Sequence, residues 1–244
     1  MSIRIATYNI RHGLGDDDKL DLARVSSVVR EIDADILFLQ EVDRDAPRSG
    51  RVPQAQWLAG ELGMSAAYED NYQVDVLFGM GNAILCRSKI YSTWNRFLPY
   101  IGERRGLLIA KTIIGGAQVT LAATHWGVTP AERALQSQKT AELLSRIDGP
   151  LLVGGDLNAE PSAPETLALL ESARLADMTS IAGPTYPAGA PKTKIDYLLA
   201  RHFAAQRVEV RRSLASDHLP VVCDVVRIDG DERAGEGPEV APTP

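Results

Sequence analysis

Two polar side chains follow an apolar run directly in the segment 151–161, whose sequence is LLVGGDLNAEP. Asp156 and Asn158 lie two positions apart in it. Because residues two apart project to the same face of an extended chain, this spacing predicts that a carboxylate and a carboxamide reach one centre while Leu157 packs inward. Asp and Asn are also frequent turn formers, so an ordinary exit from a strand into a loop is the alternative for this segment taken alone.

Similar polar residues occur at the edges of other apolar, strand-like runs. They are Asn9, Glu41, His125, Asp196, Asp217 and His218. The chain has only four histidines, and two of them fall at these positions. Burying so many ionisable groups is costly unless each has a partner or a metal ion. The number of these positions therefore favours one shared site over a set of unrelated turns.

The residue types in this set suit the hydrolysis of a phosphate ester. A hard divalent cation prefers oxygen ligands from a few carboxylates and leaves positions for water and substrate phosphate. Glu41, supported by Asn9 and one aspartate, would provide such ligands. A histidine held by a carboxylate has a fixed tautomer and a more basic imidazole, and Asp196 and His218 are the predicted pair.

Eight short motifs occur along the chain in the order TYNIRHG, LQEVD, GNAIL, ERRGLL, THWG, GGDLNAEP, KIDYLL and SDHLPVV. In this order they resemble the motif series of the endonuclease/exonuclease/phosphatase superfamily, and the resemblance spans residues 3–226. It implies a deoxyribonuclease I-like fold, a four-layer αββα sandwich of two packed mixed β-sheets with outer helices. It also implies a metal-dependent phosphoesterase that breaks a phosphodiester bond by in-line attack of an activated water.

The resemblance implies Mg²⁺ or Mn²⁺ as the cofactor and assigns its ligands. Asn9 and Glu41 would hold the metal ion. Asp217 would join them or act beside them.

Catalytic roles also follow from the resemblance, position by position. Asp156 would orient the attacking water, and Asn158 would hold a phosphate oxygen. His218 would be the general base, oriented by Asp196. His125 would donate a hydrogen bond to the phosphate or assist the leaving oxygen.

Three further residues are predicted to contact the substrate. Arg105 belongs to an ERRG motif that recurs in small bacterial members of the superfamily and would grip the phosphate with two hydrogen bonds; a solvated edge charge is the alternative. Asn82 belongs to the GNAIL motif. Trp126 stands where the superfamily usually has Leu after the histidine, so we expect it to reshape the pocket wall. Leu157 replaces the usual aromatic residue of GDFN, which is a change within the core.

Apolar periodicity between these positions predicts the elements that must hold them. Besides the strand that begins at Leu151, strands are predicted at 3–8, 35–40, 82–87, 90–98, 106–114, 118–124, 195–199, 208–210 and 219–226. Helices are predicted at 21–32, 53–62, 130–147 and near 164–170. The middle stretch, 82–124, is predicted to form a meander of antiparallel strands.

The length of 244 residues, with 45% hydrophobic and 24% charged residues, predicts one globular domain. We assign the phosphoesterase domain to residues 1–228 and a disordered, acidic, Gly- and Pro-rich tail to residues 229–244. No apolar run approaches the roughly 18 residues of a membrane span, and the N-terminus lacks a signal-peptide pattern. We therefore expect a cytoplasmic monomer. Cys86 and Cys223 lie in apolar runs and are predicted to be reduced core residues.

Charge bears on the choice of substrate. The net charge is −6, and the tail, with five acidic residues and one arginine, leaves only −2 on residues 1–228. A mildly acidic body argues against non-specific duplex binding, which depends on clustered Lys and Arg. A phosphate ester that is not duplex DNA, either a small molecule or a lipid head group, is therefore favoured. The alternatives are a DNA or RNA nuclease and a non-catalytic binding module on the same fold.

Overall fold

The first strand, β1 (Ser2–Asn9), contributes side chains to two apolar cores, one on each of its faces. Ile3 and Ile5 join the core between two sheets, whereas Ala6 and Tyr8 join a second core that includes helical residues. Because strand side chains alternate between faces, a strand that is apolar on both faces needs a layer on each side. The computed structural model describes residues 2–73, 78–228 and 239–240.

The first sheet is built mostly from the two ends of the chain. Its strands are β1, β2 (Ile36–Arg44), β3 (Ser65–Gln73), β4 (Gly79–Cys86), β11 (Phe203–Val210), β12 (Val221–Arg227) and β13 (Glu239–Val240). Their spatial order is β13-β11-β12-β1-β2-β4-β3. β1 runs parallel to β2 and β11 runs parallel to β13, while the other neighbours are antiparallel. The sheet is therefore mixed.

The second sheet comes from the middle of the chain. Its strands are β5 (Ile90–Phe97), β6 (Gly106–Ile114), β7 (Ala117–His125), β8 (Leu151–Asp156), β9 (Ala176–Asp177) and β10 (Asp196–Arg201). They lie in the order β5-β6-β7-β8-β10-β9, and only the β7–β8 pair is parallel among these described strands.

Helices cover the outer face of each sheet. α1 (Leu22–Ile32) and α2 (Gln54–Leu62) contribute to the core outside the first sheet, and α3 (Pro130–Ser145) and α4 (Pro164–Ser172) to the core outside the second. Each pair of helices is therefore separated from the other by both sheets. The predicted four-layer αββα sandwich is confirmed.

Two glycines before Asp156 allow close packing, Gly154 against the first sheet and Gly155 against the neighbouring strand of its own sheet. A Cβ atom on Gly154 would lie 2.3 Å from the ring of Phe38 in β2. A Cβ atom on Gly155 would lie 2.4 Å from the carbonyl oxygen of Thr124 in β7. Both distances are too short for any side chain, so the apolar run in β8 must end in two glycines. Because Gly154 has no side chain, β8 can approach β2 of the first sheet just before Asp156.

The predicted meander over 82–124 is wrong at its first strand. β4 pairs with β2 and β3 in the first sheet, whereas β5, β6 and β7 form a meander in the second. The chain thus passes between the sheets after Cys86. β3 was not predicted from the sequence, because it is an edge strand with the polar sequence SAAYEDNYQ and lacks a continuous apolar face.

The remaining sequence expectations concern the tail, the cysteines and the membrane. The tail, 229–244, falls outside the described residues except for β13, which pairs with β11, so its disorder stays a prediction. Cys86 and Cys223 are buried and free, as predicted. Among the helices of the described chain, none is both long and apolar enough to cross a bilayer.

Candidate active site

Polar residues from both sheets meet at one end of the sandwich, and strand register explains how. In the second sheet His125 lies opposite Asp156, and Asp156 lies opposite Asp196. Asn9 ends β1 in the first sheet, next to Gln40 of β2. Because β1, β7 and β8 end at this edge and β10 begins there, the side chains at these positions can contact one another across the gap between the sheets.

The central residue of the cluster is Asp156, which is only 1% exposed. Its Oδ2 atom accepts a hydrogen bond from Asn9 Nδ2 at 3.1 Å and lies 3.4 Å from His125 Nε2 and 3.6 Å from His218 Nε2. Its Oδ1 atom accepts a hydrogen bond from the backbone N–H of Asn158 at 2.9 Å. One carboxylate therefore joins residues from both sheets.

Asn158 reaches this centre by a turn rather than by extended alternation. Its φ angle is +49°, in the left-handed region that Asn tolerates. Its Nδ2 atom donates to the carbonyl oxygen of Trp126 at 2.9 Å and lies 3.1 Å from His125 Nε2. Asp156 and Asn158 thus both contact His125, while Leu157 is buried as expected.

Glu41 lies beside Asn9 because β2 is irregular at this point. The pairing of β2 with β4 shifts register between Leu39 and Val42, and Glu41 has a φ angle of +53°. Such an irregularity re-aims a side chain. Asn9 Nδ2 donates to Glu41 Oε1 at 3.0 Å, so Asn9 bridges Glu41 and Asp156.

Asp217 lies near Asn9 because the preceding residue, Ser216, hydrogen-bonds to the Asn9 backbone. Ser216 Oγ donates to the Asn9 carbonyl oxygen at 2.7 Å and lies 3.3 Å from Asp217 Oδ1, while Arg11 Nε lies 3.6 Å from Asp217 Oδ2. The side chain of Asp217 remains 24% exposed. Asn9, Glu41 and Asp217 offer amide and carboxylate oxygens without sulfur, which is the ligand chemistry that hard divalent cations prefer.

Asp196 and His218 form the hydrogen-bonded pair that the sequence predicts. His218 Nδ1 lies 3.0 and 3.2 Å from the two carboxylate oxygens of Asp196, and both residues are buried. Asp156, Asp196 and His218 also offer possible metal-ligand atoms within 4.8 Å of one another. Both Asp196 oxygens already face the imidazole of His218. Asp156, Asp196 and His218 are therefore better suited to share a proton than to bind a metal ion.

Electrostatics within this unit differ from the sequence expectation. Burial alone would lower the pKa of His218, but the charges of Asp196 and Asp156 outweigh burial and raise that pKa to about 10. Burial raises the pKa of Asp156 to about 7, and the charge of Asp196 adds to the shift. The imidazole is therefore held as a cation here, whereas a general base must be neutral. The charge of Asp196 is the larger cause of the raised pKa, and the charge of Asp156 adds to it.

The tautomer of His125 follows from its neighbours. Arg105 Nη1 lies 3.0 Å from His125 Nδ1, and a guanidinium can only donate. With Nδ1 accepting, a neutral His125 carries its proton on Nε2, which faces Asp156 Oδ2. The Asn158 Nδ2 atom, 3.1 Å from Nε2, then makes no hydrogen bond to it, because both groups are donors, and donates to the Trp126 carbonyl oxygen instead. Burial lowers the pKa of His125 well below its usual range, and the positive charge of Arg105 lowers it further. His125 is thus a neutral hydrogen-bond donor.

Arg105 is buried and already has partners. Its Nη1 atom lies 2.9 Å from Glu103 Oε1 as well as 3.0 Å from His125 Nδ1. A two-bond grip on a phosphate would therefore have to come from the other nitrogen atoms of the guanidinium. Arg105 is placed to orient His125 whether or not it contacts the substrate.

Asn82 and Trp126 have structural contacts. Asn82 Nδ2 lies 3.0 Å from the Gly106 carbonyl oxygen and 3.4 Å from that of Ala123, so it links β4 to the second sheet and leaves only its own side-chain oxygen for a substrate. The side chain of Trp126 is 0% exposed, and its Nε1 donates to Thr140 in α3. The side chain of Trp126 therefore packs in the core and its backbone contacts the site, while its effect on the pocket wall stays a prediction.

Sequence reasoning missed three residues beside the site. Glu103 is in the ERRG motif two positions before Arg105, so its position was a usable signal. Tyr186, whose ring centroid lies 4.8 Å from that of His218, comes from a long loop without periodicity. Ser216 precedes Asp217 and bonds the Asn9 backbone, a contact that no local pattern indicates.

Solved structures with the same architecture come from several bacteria. An endonuclease/exonuclease/phosphatase from Beutenbergia cavernae DSM 12333 is 25% identical, with a TM-score of 0.81, and the match covers 94% of this chain and 72% of that one. A family protein from Bacteroides thetaiotaomicron is 18% identical with a TM-score of 0.77, covering 97% and 98%. The mannosyl-6-phosphatase Bt3783 of B. thetaiotaomicron VPI-5482 is 17% identical with a TM-score of 0.72, covering 92% and 99%. The last two likenesses bear on the fold alone.

Sequence comparison agrees with the structural likeness. No functionally curated protein matches the chain. The model of the Endonuclease/Exonuclease/phosphatase family matches residues 6–218, a range that contains every residue of the site described above. The chain therefore belongs to the endonuclease/exonuclease/phosphatase family.

Proposed function

We propose that this protein is a phosphodiester hydrolase that depends on a divalent cation and uses water as the nucleophile. Family membership supports an enzyme of the phosphoesterase or nuclease type. The observation that carries the proposal is the set of contacts around Asp156, which joins the oxygen ligands near Glu41 to the two buried histidines. A non-catalytic binding module would have no need to bury these ionisable groups in mutual contact.

Asn9, Glu41 and Asp217 would hold Mg²⁺ or Mn²⁺. The fit rests on their donor atoms, which are all oxygens, and on the partial exposure of Glu41 and Asp217 beside the buried Asp156. A bound divalent cation would polarise a phosphoryl oxygen and offset the negative charge that develops on it.

Asp156 would orient the water, whose oxygen forms a bond to phosphorus as the bond from phosphorus to the leaving oxygen breaks. The proton released by the water would enter the unit formed by Asp156, His218 and Asp196, where the Asp156 Oδ2 and His218 Nε2 atoms are 3.6 Å apart. Asp196 would keep the ring oriented through Nδ1. His218 can act as the base only when its imidazole is neutral. The positive charge of a bound divalent cation would lower the pKa of that imidazole and so favour the neutral form.

His125 and Asn158 would bind the phosphate. The neutral His125 presents its Nε2–H beside Asp156, and the Asn158 amide lies 3.1 Å from the same nitrogen. Donors of this kind stabilise a developing negative charge when they are held in advance. Arg105 keeps His125 in the donating tautomer.

The favoured substrate is a small-molecule or lipid phosphodiester, and the enzyme would act as a cytoplasmic monomer. The mild charge of residues 1–228 supports this choice over duplex DNA. DNA or RNA hydrolysis is the second candidate, because the family name includes nucleases.

Testing needs a panel of bis-p-nitrophenyl phosphate, p-nitrophenyl phosphate, plasmid DNA, abasic DNA and a phospholipid. Each is assayed with Mg²⁺, with Mn²⁺ and after exhaustive EDTA treatment. We expect cation-dependent turnover of diesters, with bis-p-nitrophenyl phosphate exceeding plasmid DNA. Preference for the monoester would refute the diesterase assignment, and failure on the whole panel would refute the hydrolase proposal.

A further inference from the structure

A second cavity, of about 330 Å³, lies beside the candidate active site. Its walls come from the end of β2 and the segment after it, from the adjoining ends of β3 and β4, and from the loop before β6. Most of the lining is apolar: Ala46, Pro47, Tyr72, Phe78 and Met80. A concave, largely apolar space of this size is within the range of roughly 300–1,000 Å³ that holds small-molecule groups.

This cavity shares wall residues with the candidate active site. Met80 and Glu103 line it and also line the narrow cleft that contains Glu41 and His125. Glu103 is in turn paired with Arg105, which contacts His125. A group that fills the cavity would therefore be close to a phosphate held in the cleft.

Charges in the cavity wall are already paired. Among the described lining residues, the charged ones are Asp43, Arg48 and Glu103. Both carboxylate oxygens of Asp43 accept from Arg48, at 2.7 and 2.9 Å, and Arg48 Nη2 also lies 3.2 Å from Met80 Sδ. Glu103 is paired with Arg105. Within the described part of the wall, every charged side chain thus has a partner, whereas an uncharged apolar group would displace water from apolar surface.

The types of side chain in the cavity wall indicate which apolar groups can bind there. Tyr72 and Phe78 can pack against another ring, and the flexible thioether of Met80 makes favourable contacts with aromatic groups. We propose that this cavity is a substrate subsite for an uncharged aromatic or bulky apolar group esterified to the phosphate. This inference rests on the proposed phosphodiesterase function and adds the substrate class: an aryl or apolar phosphodiester.

The test compares methyl p-nitrophenyl phosphate with 1-naphthyl p-nitrophenyl phosphate, using the full chain and Mn²⁺. Both have one negative charge and the same leaving group. We expect KM to be about 10-fold lower for the naphthyl ester with kcat within about 3-fold, because binding outside the reacting bonds acts equally on ground and transition states. Met80→Ala and Tyr72→Ala should each reduce the KM ratio by about 3-fold or more.

Tyr91→Ala is the matched control for these variants. Tyr91 is a 47% exposed tyrosine on β5 that does not line the cavity, so its removal should leave the ratio unchanged. Equal KM values for the two esters in the wild type would overturn the subsite, as would ratios unaffected by either cavity variant. The thermal unfolding temperature of each variant shows whether a changed KM ratio comes from a folding defect.

Failure of the function itself gives a different result. If neither ester is hydrolysed with Mg²⁺ or Mn²⁺, the proposed phosphodiesterase function is refuted, and the subsite is judged by calorimetric titration with 1-naphthyl methylphosphonate. Binding that weakens in Met80→Ala would still support an aryl-binding cavity. Absence of binding would overturn the cavity proposal as well.

Discussion

The candidate site has two halves that differ in burial and in the partners of their polar atoms. Asp196 and His218 are buried and satisfy each other through hydrogen bonds. Glu41 and Asp217 are only partly buried, and Asp217 remains open to solvent. The members of the first half are already hydrogen-bonded to each other, whereas the carboxylates of Glu41 and Asp217 in the second half reach solvent, from which a cation can bind. We infer that the fold itself organises proton handling and that a cation completes the other half.

The largest expected effect concerns the buried half. His218→Ala should lower kcat by about 10²–10⁴, because this is the usual contribution of a positioned acid or base. Asp196→Asn should lose much of the same factor. Since the two act as a unit, the double variant should be little worse than His218→Ala. Steady-state kinetics with bis-p-nitrophenyl phosphate measures this, and fully additive losses would contradict the unit.

Glu41→Gln should disturb the open half, weakening Mn²⁺ affinity by about 10-fold or more, since removing one charged ligand weakens the site for a hard cation. Mn²⁺-dependent shifts in the unfolding temperature measure this without reference to turnover. Glu171→Gln, at an exposed residue of α4, is the control and should bind Mn²⁺ as the wild type does. Unchanged affinity in Glu41→Gln would show that Glu41 is not a ligand.

Stability of the metal-free protein should depend on pH through Asp156. Its pKa is raised from an ordinary value of 3.8 to about 7, so the folded state binds this proton more tightly than the unfolded state does. That stabilisation is complete below pH 3.8 and is lost as the pH rises through 7. Asp156→Asn removes the buried charge and leaves His218 balanced by Asp196.

This Asp156→Asn variant should therefore unfold at a higher temperature than the wild type at pH 8 in EDTA, although it should be inactive. The difference should shrink at pH 5, where the wild-type carboxyl is protonated. Thermal unfolding at the two pH values tests this. A variant that is less stable than the wild type at pH 8 would mean that Asp156 is stabilising in its charged form.

The smallest kinetic effect is expected for Trp126. Trp126→Phe should leave KM and kcat within about 2-fold, because the side chain is buried in the core and does not face the site. It should lower the free energy of unfolding by about 1–3 kcal/mol through lost volume and the lost hydrogen bond to Thr140. A large change in KM with normal stability would support the pocket-wall interpretation instead.

Much of the architecture could be predicted because apolar alternation is a local signal. On β1, Ile3 and Ile5 belong to one apolar core and Ala6 and Tyr8 belong to another. A strand with apolar residues on both faces requires a layer on each side. The end of β8 at Asp156 was equally visible in the sequence. The passage between sheets after β4 could not be predicted, because the strands on either side of it look alike in a single sequence.

Within the site, residue types were predictable but orientations were not. The position of Glu41 depends on a register shift in β2, and that of Asn158 on a left-handed turn. The raised pKa of His218 depends on Asp196 and also on Asp156, whose Oδ2 atom lies 3.6 Å from the His218 Nε2 atom although the two residues are distant in sequence. Long-range contacts of this kind leave no local pattern.

The most direct test of the two-half account is a Mn²⁺ titration of bis-p-nitrophenyl phosphate hydrolysis by the wild type, Glu41→Gln and His218→Ala. The account predicts that Glu41→Gln raises the Mn²⁺ concentration for half-maximal rate, whereas His218→Ala lowers the maximal rate at an unchanged half-maximal concentration. Wild-type activity that survives exhaustive EDTA treatment, or identical changes in both variants, would contradict it.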